Sequence, residues 1–187
     1  RIMREAQVLA KAGHEVHIAC GVNSTLSQMA VKFAPDVHTI VLKMYKKRPV
    51  HLLRVWATLE SVKPTIVVCH SSTDHWLVAI ARLFTSAKFP IVRVRHISTL
   101  ISTGRLTKWL YSCGCDAIIT TGAEIRESMV SAGLAPAPKI RSIPTGLNRV
   151  RFEGLSKSEV RRRLGLSTEA ILIGIVATLR SWKGHED

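Results

Sequence analysis

The residues best suited to chemistry fall just after apolar runs. His96 follows the apolar run Pro90–Val94, with Arg95 before it and Ser98 two residues after it. An imidazole there can orient a hydroxyl or a phosphate, or move a proton near neutral pH. His70 and Asp74 bound a short polar run between an apolar strand and a helix. Those residue types serve a ligand or make an ordinary helix cap. Near the C-terminus, Arg180, Lys183 and Gly184 follow the apolar run Ile171–Val176. A strand leading into a basic, glycine-bearing turn is how nucleotide-binding α/β domains present a phosphate site.

The elements that must carry these residues alternate. Apolar residues at Met3, Ala6, Leu9 and Ala10 have helical spacing over Arg1–Ala12, and Gly13 stops that helix. Glu15–Cys20 reads as a strand, Gly21–Asp36 as a loop and Val37–Leu42 as a second strand. A basic loop, Lys43–Arg48, precedes a helix with the stripe Leu52, Val55, Trp56, Leu59 and Val62, ended by Lys63 and Pro64. Thr65–Cys69 is a continuous apolar strand, as buried parallel strands are. His70–Asp74 reads as a turn and Trp76–Phe84 as a helix. Strand Pro90–Val94, loop Arg95–Gly104, helix Arg105–Ser112 and strand Ala117–Thr120 follow. Thr121 and Glu124 fit a capping box opening helix Ala123–Ala132, with Gly133 as its stop. Lys139–Ile143 is the next strand.

This order predicts an α/β fold with a doubly wound, mainly parallel sheet, in which ligands bind beyond the carboxyl ends of the strands. The chain opens on a helix at Arg1, so the first strand is expected upstream. From Pro144 to Asn148 the texture turns to that of a linker, and a boundary falls near Arg149–Gly154. Residues 1–150 are then one domain and 151–187 the start of a second. Ser156 and Glu159 form a further capping box before a basic helix, and Ile171–Val176 reads as a strand.

Composition limits the classes. The chain has 187 residues, 47% of them apolar, enough for a buried core. No apolar run approaches the roughly 20 residues of a membrane helix. The net charge of +14 favours anionic partners such as phosphorylated substrates, nucleic acid or anionic lipid. Lys43, Lys46, Lys47 and Arg48 are the basic cluster better suited to such a surface, and Arg161–Arg163 read as a solvated face. The four cysteines lack zinc-site spacing and read as reduced and structural, as in a cytoplasm. No metal site, Ser-His-Asp set, HExxH, Walker A or GxGxxG pattern occurs in the sequence.

Three segments resemble a known family. Ala10–Val16 resembles the Gly-His segment after the first helix of glycosyltransferases with two Rossmann domains, the GT-B type. Ile143–Phe152 is similar to the I-P-N-G-V-D-x-x-x-F linker of glycosyltransferase family 4, with Thr145 for the Asn and Asn148 for the Asp. Gly174–His185 is similar to that family's entry into its donor domain. There Thr178 stands at the usual arginine position and Arg180 lies two residues later.

The resemblance implies an N-terminal acceptor domain lacking its first strand, followed by the opening of a donor domain. It implies transfer from a nucleoside-diphosphate sugar, with retention and without a metal or other cofactor. The acceptor would be a cell-envelope glycan, a lipopolysaccharide or a lipid-linked molecule. The basic surface fits such an acceptor at a membrane face, which places the protein in the cytoplasm or at the cytoplasmic face of the inner membrane, in peripheral contact with anionic lipid. His96 matches a histidine facing the transferred sugar, and Lys183 the lysine on the donor diphosphate, with Arg180 and Gly184 beside it. His70, Asp74 and Arg95 are the remaining cleft candidates. The family's glycine-rich loop would precede Arg1 and its acidic pair would follow Asp187, so the chain alone is expected to be inactive. Two other readings stand beside this one. A sugar-nucleotide epimerase of the same architecture needs paired carboxylates, which are not evident. A basic nucleic-acid-binding module rests on charge alone, with few aromatics for stacking.

Overall fold

The structure is a computed structural model that describes residues 1–33, 35–42, 49–96, 101–146 and 153–177. The chain divides into a larger unit, Arg1–Thr145, and a smaller one, Gly146–Asp187.

In the larger unit, strands and helices alternate as the apolar pattern requires. They run α1 (Ile2–Lys11), β1 (His17–Cys20), α2 (Thr25–Phe33), β2 (His38–Val41), α3 (Pro49–Val62), β3 (Val67–Cys69) and α4 (Ser72–Arg82). Then come β4 (Ile91–Arg95), α5 (Arg105–Ser112), β5 (Ala117–Thr120), α6 (Ala123–Ser131), a 3-10 turn and β6 (Ile140–Ser142). All pairings are parallel. Among the described residues they make two sheets, β1-β2 and β3-β4-β5-β6, rather than one continuous sheet. The fold class is α/β and Rossmann-like.

Each sheet has its own core. Met3 and Ala6 of α1 pack with Ile18, Cys20, Ala30 and Val37 around β1-β2. Around the larger sheet, Val55 and Leu59 of α3 and Leu77, Val78 and Ala81 of α4 meet Ile91, Ile118 and Ile140, with Tyr111 and Met129. Burial of such side chains stabilises the fold by about 1.5–3 kcal/mol each. All four cysteines are free, and Cys20, Cys69 and Cys115 are buried.

Several local expectations change. The segment 21–36 contains α2, whose Ala30 is fully buried and whose first turn is held by Ser24 Oγ accepting from Ser27 N. On α3 the buried stripe is His51, Val55 and Leu59, while Trp56 is on the exposed side. Helix α4 starts at Ser72, four residues before Trp76, because Ser71 and Asp74 make a reciprocal capping box. The box expected at Thr121 and Glu124 does not form. Gly122 is the N-cap without a side-chain bond, and Thr120 Oγ1 donates to Gly122 O instead.

In the smaller unit, α7 (Lys157–Arg163) is capped by Ser156 Oγ, which accepts from Glu159 N. The Glu159 carboxylate turns to Arg162 and Arg163, so only half of the expected box forms. Residues Ile171–Val176 are not a strand, and Ile171, Ile173 and Val176 are exposed. A strand takes its hydrogen bonds from a neighbour, and no other strand is described in this unit.

Candidate functional site

The site forms where β3 and β4 end. These strands pair in parallel with Cys69 opposite Arg93, so their carboxyl ends lie side by side. His70 follows the first and His96 the second. Their rings are nearly coplanar, 5° apart, and His70 Nδ1 lies 3.2 Å from His96 Nε2. Two neutral imidazoles in this contact share one hydrogen bond, with one nitrogen donating and the other accepting. The outer nitrogens, His70 Nε2 and His96 Nδ1, are then complementary. Whichever tautomer pair is present, the two outer atoms offer one donor and one acceptor.

The surroundings favour the neutral forms. Burial is the main cause lowering the pKa of His70, with the opposing ring of His96 and the charge of Arg93 adding to it. His96 is more exposed, and its pKa is lowered by burial first, then by Arg1 and by Arg93. Arg93 is a buried cation in the middle of β4, and its Nη1 donates to Cys69 O at 3.0 Å.

Asp74 holds the turn that aims His70. Its carboxylate accepts from the backbone N–H groups of His70, Ser71 and His75 and from Ser71 Oγ, at 2.7 to 3.0 Å. Those bonds occupy the carboxylate and leave it turned to its own loop. Arg95, the last residue of β4, is half-buried next to His96 in sequence.

The sequence reading missed a neighbour of the pair. The start of α1 brings Glu5 close enough for its charge to act on both histidines, and Arg1 close enough to act on His96. Arg1 Nε is 2.6 Å from Glu5 Oε1, and its Nη1 donates to Thr145 Oγ1 at 3.1 Å. The first helix is thus tied to the end of this unit. A signal existed, because a helix that leads into a parallel strand begins at the carboxyl edge of the sheet. Arg1 and Glu5 at the first turn could have been placed there.

Arg180, Lys183 and Gly184 lie outside the described residues, as do Ser98, the basic cluster Lys43–Arg48 and most of the linker. Among the described residues no group of His, Cys, Asp and Glu could hold a metal ion. What the described site can do is bind a polar ligand through neutral ring nitrogens and pass a proton across a hydrogen-bonded pair.

A parallel α/β unit with polar side chains gathered at the strand ends belongs to the Rossmann-like class. The chain belongs to glycosyltransferase family 4, whose sequence profile, Glycosyltransferase Family 4, matches residues 1–151. Two solved structures share the fold. A glycosyltransferase from Rickettsia africae matches with a TM-score of 0.78 at 19% identity, over 97% of this chain and 49% of that one. Anabaena HepE, solved in complex with UDP-glucose, matches with a TM-score of 0.71 at 15% identity, over 97% and 50%. The chain therefore spans about half the length of the solved structures it matches. No curated protein matches it.

Proposed function

We propose that the protein containing this chain transfers a sugar from a nucleoside-diphosphate sugar to a cell-envelope glycan, a lipopolysaccharide or a lipid-linked acceptor, with retention at the anomeric carbon. The observation that carries this is the hydrogen-bonded His70–His96 pair at the strand ends of a family 4 chain. A nucleoside diphosphate that leaves the anomeric carbon takes negative charge with it. The sugar left behind is held through its hydroxyls. His96 offers its outer nitrogen to such a hydroxyl, His70 sets its tautomer, and Arg95 borders the same edge. Asp74 acts on the ligand only through the loop it fixes.

Residues 1–150 are the acceptor domain in this reading, and 151–187 are the linker and the start of the donor domain. Arg180, Lys183 and the backbone at Gly184 would meet the departing diphosphate, where positive charge is most useful. The 187-residue chain by itself is then inactive. Because HepE was solved with UDP-glucose, a UDP-sugar is the first donor to assay. The enzyme works at the cytoplasmic face of the inner membrane. Contact there is peripheral in this reading. No helix among the described residues is long and apolar enough to cross a membrane.

The test is turnover of nucleoside-diphosphate sugars by the full-length protein and its His96→Ala variant. Loss of a group that positions the reacting sugar lowers kcat by about a hundred-fold. A variant as fast as the parent would remove His96 from the mechanism.

A further inference from the structure

Among the described residues, four buried side-chain nitrogens have no hydrogen-bond partner. Three of them belong to two residues: both ring nitrogens of His75 and Nε of Arg93. His75 is fully buried, and Arg93 is 3% accessible. Leaving a buried polar group unpaired is costly, and folded interiors pair such groups with protein or with water.

The fold brings the two residues to one level. Ile91 and Arg93 are two apart on β4, so they face the same side of the sheet. Ile91 packs with Leu77, Val78 and Ala81 of α4 in the larger core. Helix α4 leaves the carboxyl end of β3 and runs back against the direction of β4. From Ile91 to Arg93 is about 7 Å toward the carboxyl edge, and from Val78 back to His75 is about 5 Å the same way. The imidazole and the guanidinium therefore lie in one layer at one height, and the charge of Arg93 is felt at the ring. Arg93 Nη1 is already engaged with Cys69 O at 3.0 Å, which leaves Nε as the unpaired donor. The Gly114 backbone acts on the His75 ring without completing a hydrogen bond to it.

We infer that one buried water molecule bridges Arg93 and His75. Arg93 Nε–H donates to the water oxygen, and the water donates to the unprotonated nitrogen of the neutral imidazole. The other ring nitrogen keeps its proton and turns it toward the Gly114 backbone. A buried water needs two to four polar partners, and this place supplies a donor and an acceptor. A halide ion accepts but cannot donate, so it would leave the unprotonated nitrogen bare. The bridge ties α4 to β4 through the guanidinium that also holds the carbonyl of Cys69, the residue before His70. It goes beyond the proposed function and rests on no part of it.

The experiment is a high-resolution crystal structure of the 187-residue chain grown in sodium bromide, with anomalous diffraction measured at the bromine edge. A single density peak about 3 Å from Arg93 Nε and from one His75 ring nitrogen, without anomalous signal, is expected. The absence of density there would overturn the inference. So would an anomalous peak, which would assign the place to an anion. A double-mutant cycle in urea gives a second measurement. His75→Phe and Arg93→Met each remove one end of the bridge, and circular dichroism checks that they fold. Combined, they should cost less than the sum of their separate costs, by about five-fold in the unfolding constant. Strictly additive costs would overturn the bridge, and should a variant fail to fold, the density in the parent chain decides alone.

Discussion

His70 and His96 are suited to hydrogen bonding because their surroundings lower both pKa values and so favour the neutral rings. Burial is the main cause, and the charge of Arg93 adds to it. A cation this deeply buried is costly, and its one described hydrogen bond goes to Cys69 O. Its position gives it a second consequence, which is to oppose protonation of the pair. Arg93→Met should raise the titration midpoints of both histidines without restoring the ordinary value, since burial remains. The ring C–H chemical shifts followed against pH would measure this, and unmoved midpoints would remove Arg93 from the account. Burial also raises the thiol of Cys115, to about 11, and pushes Cys69 higher still, so neither is a nucleophile near neutral pH.

The elements work through their ends. The capping box at Ser71 and Asp74 both starts α4 and fixes the backbone of His70, so one local motif sets a helix and a site residue together. At the other end of the unit, the Cys-Gly-Cys run has a structural reason. After α5, the backbone turns back and Gly114 N donates to Trp109 O. A Cβ at Gly114 would sit 2.6 Å from Leu110 O and 3.0 Å from Leu110 Cα, both backbone atoms with little room to move. Gly114→Ala should therefore destabilise the unit by about 1–3 kcal/mol, the usual cost of forcing extra volume into a packed region. Urea unfolding midpoints would test this, and an unchanged midpoint would mean that the turn simply relaxes. Gly133 has a different constraint. Its φ of +60° ends α6 in the left-handed region that favours glycine.

At the scale of the molecule, the folded unit responds to acid through a histidine outside the site. His75 on α4 is fully buried, with its ring edge-on to Tyr111. Burial, then the charge of Arg93, depresses its pKa to about 3 from an ordinary 6.5. The folded chain therefore holds fewer protons than the unfolded chain below about pH 6.5. Stability is complete above that pH and is lost as pH falls from there toward about 3. One proton taken up only on unfolding costs up to about 1.4 kcal/mol per pH unit. His70 and His96 are shifted in the same direction and add to the slope. Denaturant unfolding from pH 7 to pH 4 should show this loss, and His75→Leu should reduce the slope by about one proton. An equal slope in the variant would show that other groups drive the acid response.

The alternation of apolar runs and helical stripes was enough to give the α/β class, the parallel strands and the order of nearly all the elements. Those signals are local, with a period of two or 3.6 residues, and need no knowledge of the neighbour. The linker and Gly-His segments carried the family in the same way. His96 and His70 were both legible as residues at strand ends. Their contact was not, because it joins positions 26 apart and depends on how β3 and β4 pair. Arg1 was invisible as a neighbour of the site for the same reason, since its bond to Thr145 spans 144 positions. Local hydrogen-bond competition was also beyond the pattern. Ser71 with Asp74 completes a capping box, whereas the same kind of spacing at Thr121 and Glu124 leaves Gly122 as an unassisted cap. Which donor reaches which acceptor is decided by where the folded backbone points them. The division into two sheets and the unburied face of α3 were decided at that level too. Apolar character is written in the sequence, but whether it is covered depends on what the fold packs against it.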